Sequence, residues 1–319
     1  MTTDIQIHLE VCKSKKNWDS FIYEATEASP FMLSWFTDIL DPNNEKLFYI
    51  ENGIAKAALL FYKNGSKVIQ PNYSVYHSLC FKKHKIGHIT ERYRILKNIV
   101  SLLTNKYREG IRFSFHPEIT DLRPLLWHNF EGNESKKFDV KIRYTAVLNL
   151  EVIKDINQFL KDVRENRKRD YKKSIKENIS SSFGATKEEV TDLYKKTFDR
   201  QGISVDFNSL VFLEKLTENI KLETGFICAS RNKDGKAVAI IICLIDRDTA
   251  YSLIIANDPD FRNTGANTAC MIGSFLHAKK LGKKYFDFVG ANSPQRGDFK
   301  ISFNSELKRY FEATYSLVT

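Results

Sequence analysis

TAYSLIIANDPDFRNTGANTACMIGSFLHAKKLGKKYFDFVG, residues 249–290, changes its periodicity twice. TAYSLIIA (249–256) is rich in β-branched and aromatic residues and reads as a strand. A polar loop carrying Asp258-Pro259 follows. From about Gly265 to Leu281 the spacing predicts a helix with Ile272, Phe275 and Leu276 facing inward. KKYFDFVG (283–290) then returns to a strand pattern. Strand, loop, helix, strand is one α/β unit.

Upstream, GKAVAIIICLI (235–245) forms a hairpin with 249–256 across Asp246, Arg247 and Asp248. The first half of the chain rhymes with this. GIAKAALLFY (53–62) reads as a strand and KVIQPNYSVYHSLCF (67–81) as a second extended stretch. Ile89, Tyr93, Leu96, Val100, Leu103 and Tyr107 then fall on one face of a helix, and IRFSF (111–115) alternates like a strand. A pattern used twice predicts two lobes, residues 1–150 and 151–319. Between them, QFLKDVRENRKRDYKKSIKENI (158–179) reads as one helix with Leu160, Val163, Tyr171 and Ile175 on its apolar side. KEEVTDLYKKTFDRQ (187–201) starts a helix after Thr186, with acidic residues in its first turn as the helix dipole favours.

The 319 residues suffice for two domains, and the net charge of +10 favours an anionic partner. No apolar run approaches the roughly 18 residues that span a bilayer. The first residues, MTTDIQIHLEV, lack the basic and apolar regions of a secretion signal. Five cysteines without CxxC spacing point to reduced thiols, so the expected location is cytoplasmic, and metal-ligand spacing is absent.

Four features can carry chemistry. Gly265 and Ala266 open a helix after a loop that also holds Arg262. Free N–H groups at a helix start, approached closely at glycine, suit a phosphate, although the loop is neither a Walker loop nor GxGxxG. In the basic helix, Arg164, Lys168, Lys172 and Lys176 step by four, with Arg169 and Lys173 beside them. Such a run is a solvated face, a phosphate grip or a nucleic-acid surface, and zinc-finger and RNP signatures are absent. Asp287 sits within an aromatic strand, where a carboxylate must be paired or hydrogen-bonded. Lys300, in FKISF, either snorkels its charge to water or holds an anion. His116 and His128 have no visible partner and read as structural. No GxSxG elbow or Cys–His pair supplies a nucleophile.

Together these residues resemble a known family. Tyr285–Gly290 and then Phe299, Lys300 and Phe303 resemble the Tyr/Phe-Asp-Phe-x-Gly and Phe-Lys-x-x-Phe-Gly motifs of Fem-like proteins in the GNAT superfamily. Asn304 replaces the final glycine, a small departure because asparagine tolerates left-handed backbone angles. KRDYKKS (168–174) resembles that family's Arg-Arg-x-Ile-x-Lys-Ala element. SPFMLSWFTDIL (29–40), IQPNYSVYHSL (69–79) and RYTAVLNL (143–150) resemble bacterial members linked with cell-surface polysaccharide synthesis.

The resemblance implies an α/β (α+β) fold of two tandem GNAT-like lobes, each a mixed central sheet flanked by helices. It implies acyl transfer to an amine. The donor is acyl-CoA or an aminoacyl-tRNA, and the acceptor an amino group on a nucleotide- or lipid-linked sugar or a peptidoglycan precursor. A lipid-linked acceptor would bring peripheral membrane contact. The long coiled-coil arm of some Fem enzymes has no counterpart here, which favours acyl-CoA, while loop 262–266 departs from the family's usual coenzyme-binding pattern. On this reading Asp287 is the catalytic residue that orients the amine or takes its proton through water. Arg169, Lys173 and Lys300 bind the anionic substrate, and Arg262, Gly265 and Ala266 the cofactor. A non-catalytic nucleic-acid-binding protein remains the alternative from another class.

Overall fold

The computed structural model describes residues 5–83, 89–132 and 136–316. The chain divides into two units, residues 1–143 with 309–319, and residues 144–308. The sequence expectation placed a single cut after residue 150. The division instead falls inside a strand, and the last eleven residues count with the first unit.

The first unit contains β1 (Ile7–Val11), α1 (Lys15–Glu24), α2 (Ser34–Leu40), β2 (Asn44–Glu51), β3 (Ile54–Asn64), β4 (Lys67–Ile69) and β5 (Leu79–Phe81). It continues with α3 (Ile89–Lys106), β6 (Ile111–Ser114), α4 (Arg123–Leu126) and the first half of β7 (Phe138–Asn149). Its five-stranded sheet runs β1-β2-β3-β4, with β5 also pairing β3, and is antiparallel throughout. β3 shows why the run AALLFY folds this way. Ala57, Leu59 and Phe61 join one cluster with Leu96, Val100 and Leu103 of α3. Ala58, Leu60 and Tyr62 join a second with Trp18 and Ile22 of α1. Period-two alternation thus feeds two cores, which is why every residue of that stretch is apolar.

Two expectations change here. Residues 67–81 are not one strand: β4 and β5 are separated by nine irregular residues, with Tyr73 at φ 65° and Tyr76 at φ 54°. Positive φ is incompatible with a strand. The predicted helix face shifts as well. Ile95, Leu96, Ile99, Val100 and Leu103 are buried in α3, and Ile89 is exposed.

The second unit holds the rest of β7, then α5 (Ile156–Asp162), α6 (Glu165–Lys176), β8 (Ser180–Phe183), α7 (Lys187–Asp199), α8 (Phe207–Asn219), β9 (Gly225–Arg231), β10 (Ala237–Ile245) and β11 (Thr249–Asn257). α9 (Ala266–Lys280), β12 (Tyr285–Asp287), α10 (Pro294–Ile301) and the start of β13 (Glu306–Tyr315) complete it. The C-terminal half of β13 belongs to the first unit and pairs antiparallel with β6. The sheet of the second unit runs β7-β12-β11-β10-β9-β8, with β11 and β12 parallel and the other pairs antiparallel. All nine residues of β10 are buried. Ala239, Ile241, Cys243 and Ile245 share a cluster with α9, and α7 packs on β10 and β11.

The helix read over 158–179 is two helices, of which α6 carries the basic stretch. Val163 is extended (ψ 159°), so the chain breaks between α5 and α6. The break buries Leu160 and Val163 and leaves Ile175 exposed. α7 begins as expected, with a capping box between Thr186 and Glu189. In α9, Ile272 and Phe275 are buried but Leu276 is 40% exposed.

Gly265 caps α9 in the left-handed region, at φ 81°. A Cβ there would overlap the carbonyl oxygen of Asp170 in α6. Gly235 has the same φ with open space around it. We expect Gly235→Ala to cost about 1 kcal/mol, the backbone term alone. Gly265→Ala should cost about 3 kcal/mol or more, because α6 must also move. Urea denaturation of the two variants reads the difference directly.

Candidate active site

β11 and β12 run side by side for only three residues, Thr249–Tyr251 against Tyr285–Asp287. β12 then ends. The following loop follows β7 instead, through Phe288 N–H to Ala146 O at 2.9 Å and Ala291 N–H to Tyr144 O at 2.7 Å. β11 continues to Asn257. Where the two part, the β10–β11 register slips between Ile242 and Cys243, so that Leu253 bulges between Ser252 and Ile254. A bulge re-aims the strand and a lost neighbour uncovers its polar edge. The hydroxyl of Ser252, buried at this point, has no hydrogen-bond partner. The result is a wedge with one backbone wall open to an extended, amide-bearing ligand.

Asp287 and Lys300 shape the other wall. Asp287 is 4% exposed, and its Oδ1 accepts from Thr145 Oγ1 at 2.5 Å and from Val289 N–H at 2.7 Å. Thr145 Oγ1 in turn accepts from Gly290 N–H at 3.0 Å. The Nζ of Lys300 donates to the carbonyls of Phe288 (2.6 Å), Val289 (3.2 Å) and Gly290 (2.6 Å). The loop between them is held with Val289 at φ 54° and Gly290 at φ 85°. A β-branched residue with positive φ is strained, and strain persists only where the surroundings over-determine the backbone.

The electrostatics follow from burial. Desolvation pushes the Asp287 carboxyl up to about 6, against the lowering effect of the Thr145 bond, the Val289 N–H and the Lys300 charge. Desolvation likewise brings the Lys300 ammonium down to about 8, opposed by Asp287. The two make no direct ion pair and attract one another across the loop. Both Asp287 bonds fall on Oδ1, so Oδ2 stays available to a substrate or a water. A carboxylate that changes charge near pH 6 is suited to take a proton at neutral pH.

Structure and expectation part company at several of the other residues. All three protons of Lys300 face backbone carbonyls, so it organises the loop and has no free donor for an anion. Gly265 and Ala266 are buried, and the close approach that glycine allows is that of α6, not a phosphate. Arg262 is exposed in the short 3₁₀ turn before Gly265. Arg169 and Lys173 are exposed on α6, without an ion-pair partner among the described residues. Asn304 takes φ 61°, the conformation a glycine would have served.

Three residues escaped the sequence reading. Thr145 links Asp287 to Gly290. Ser252 marks the bulge. Arg167 donates to Thr268 Oγ1 at 3.0 Å, pairs with Asp170 at 3.0 Å and stacks over Phe299 at 4.8 Å, joining α6, α9 and α10. An Arg inside an Arg/Lys run carries no signal that it alone turns inward. Among the described residues, no group of three or more His, Cys, Asp or Glu side chains could hold a metal ion, and no helix is long and apolar enough to cross a membrane.

Asp287 titrates higher in the folded chain than unfolded, so its contribution to stability falls as pH rises from about 4 to about 6. Asp287→Asn should remove that slope in denaturation midpoints while keeping the fold. Lys300→Met should cost about 2–4 kcal/mol, because buried carbonyls of the loop lose their donor. An unchanged midpoint for Lys300→Met would remove the lysine from the loop's support.

Residues 159–300 match the family model of the acetyltransferase (GNAT) domain. The chain has no significant match among the curated proteins. Among solved structures it is similar to FemX, with TM-score 0.65 and 12% identity over 97% of each chain. It is also similar to L-PGS from Bacillus licheniformis, with TM-score 0.59 and 12% identity over 94% of this chain and 91% of that one. A tandem GNAT protein from the clavulanic acid biosynthesis pathway gives TM-score 0.56 and 9% identity over 98% and 99%. The matched domain contains α6, the β11–β12 wedge, Asp287 and Lys300. With a GNAT acetyltransferase domain over residues 159–300 and the fold of FemX along nearly its whole length, the protein is an acyltransferase that carries a GNAT domain and has a Fem-like fold.

Proposed function

We propose that the protein transfers an acyl group from acyl-CoA to an amino group of a nucleotide- or lipid-linked sugar, in cytoplasmic synthesis of cell-envelope polysaccharide. The observation that carries this reading is the wedge: a bulged, open edge of β11 opposite a loop pinned by Asp287 and Lys300. The amide-bearing arm of a thioester donor can add to the open edge as a short strand, with its carbonyl carbon brought to the end of the parallel pairing. The acceptor attacks as a neutral amine. The tetrahedral intermediate then collapses, the carbon–sulfur bond breaks, and the leaving thiolate picks up the one proton that the amine has given up to Asp287. Asp287 Oδ2 takes the proton lost by the amine, directly or through water. Arg169 and Lys173, two of the four α6 cations without an ion pair among the described residues, supply the positive field for polyanionic reactants.

A second reading, tRNA-dependent aminoacyl transfer to a peptidoglycan precursor, is favoured by the likeness to FemX along 97% of this chain. The two make different predictions. With acetyl-CoA and a nucleotide-linked amino sugar, the first expects amine-dependent release of free thiol. No release, together with transfer from charged tRNA, replaces it by the second.

Asp287→Asn should lower kcat by about 10²-fold or more with the fold intact. In the parent enzyme kcat should rise as pH increases through about 6, where Asp287 loses its proton. The variant should lack that limb. Arg169→Glu with Lys173→Glu should raise KM for the anionic substrate and leave kcat nearly unchanged.

A further inference from the structure

The first unit buries a group of polar side chains whose hydrogen-bonding capacity its fold leaves largely unused. Tyr62 of β3 is fully buried, and its hydroxyl has no hydrogen-bond partner. The ring of His77 lies edge-on to it, 5.4 Å between centroids, and His77 is fully buried with neither ring nitrogen bonded. The Ser74 hydroxyl, 2% exposed, faces the Tyr62 phenol, and neither reaches any other polar group. Gln70 uses its amide N–H on the Ser74 carbonyl at 3.1 Å and leaves its own Oε1 buried and unbonded. The indole N–H of Trp35, which packs on the same apolar cluster as Tyr62, is buried without a partner too.

A buried polar group left without its bond is destabilising, so a cluster of them is not a plausible resting state for a core. Something must supply the missing bonds. Gln70, Ser74 and His77 all belong to residues 70–78, the irregular stretch between β4 and β5. Tyr73 and Tyr76 in that stretch hold left-handed backbone conformations, which large side chains rarely adopt. An irregular cover with strained backbone is the part of the unit least costly to rearrange around a ligand.

We propose that residues 70–78 and Tyr62 form a binding site for a neutral, hydroxyl-rich ligand, a sugar ring. The donor set carries the choice. A phenol, a serine hydroxyl and an uncharged imidazole each donate and accept, as sugar hydroxyls do, and aromatic rings offer flat apolar faces. Burial keeps His77 neutral at ordinary pH. Of the nearby charges, Asp38 is committed to Lys15 and Lys46 and Arg112 to Glu312, while the Asp41 carboxylate accepts only from the Asn43 N–H among the described residues. An anion would find no free counter-charge, and Asp41 repels it. The site lies wholly within the first unit, and its existence does not depend on the acyl-transfer reading.

The test is calorimetric titration of the full-length protein with N-acetylglucosamine, glucose, galactose and, as a flat polar control, uridine. At least one sugar is expected to bind and uridine not to. Tyr62→Phe and Ser74→Ala should each weaken that binding tenfold or more, without lowering Tm. His77→Phe should abolish it, and Tyr62→Phe keeps the test decisive if that variant fails to fold. Absence of heat with every sugar, with a raised Tm in Tyr62→Phe, assigns the cluster to internal water and overturns the proposal. Binding of uridine alone, or sugar binding that survives both Tyr62→Phe and Ser74→Ala, overturns it equally.

Discussion

The three hydrogen bonds from Lys300 to the carbonyls of residues 288–290 are the constraint on which the candidate site rests. They hold two successive left-handed residues, one of them a valine, at the point where β12 leaves β11. β12 is already paired with β7, and that hold fixes the path by which the chain continues along β7 after β11 is left behind. Asp287 secures the same loop from its other end, using one oxygen and keeping the second. A carboxylate and an ammonium group therefore stand in apolar surroundings without forming an ion pair, because each serves the backbone between them.

The support reaches outward through aromatic packing. Phe275 of α9 touches Phe159, Phe286, Phe288 and Phe303, with ring centroids 4.8–5.9 Å apart. Those rings come from α5, from β12, from the loop after it and from the turn after α10, so one side chain ties together the segments that flank the loop. Arg167 performs the polar counterpart, bracing α6 against α9 and α10. Dense packing of this kind lets a strained loop persist, since relaxing it means moving several elements at once. The same density makes the desolvation that raises Asp287 and lowers Lys300, so stability and proton chemistry share one cause.

Much of the second unit was legible in the sequence. The hairpin of β10 and β11, the helix after Gly265 and the aromatic strand at Tyr285 all follow from periodicity, and the basic run marks α6. What periodicity missed is instructive. Val163 breaks one predicted helix into two because tertiary burial of Leu160 and Val163 outweighs the helical pattern. Residues 70–78 look like a strand on composition, yet two tyrosines with positive φ forbid one. Gly265 reads as an anion cradle, but the space its missing side chain leaves is filled by α6. In each case a packing partner far away in sequence decided the outcome.

By itself the sequence determined the alternation of strands and helices, the duplicated α/β pattern, the basic surface and the presence of Asp287 and Lys300 in one short stretch. Those features depend on local periodicity and residue chemistry, which a linear chain displays openly. Only the tertiary structure decided that β11 and β12 separate after three residues, and that Lys300 spends its protons on backbone carbonyls. It also decided that His77 and Tyr62 meet with their polar atoms unpaired. These depend on register, backbone angle and burial, and each is set by contacts between residues that the sequence keeps apart.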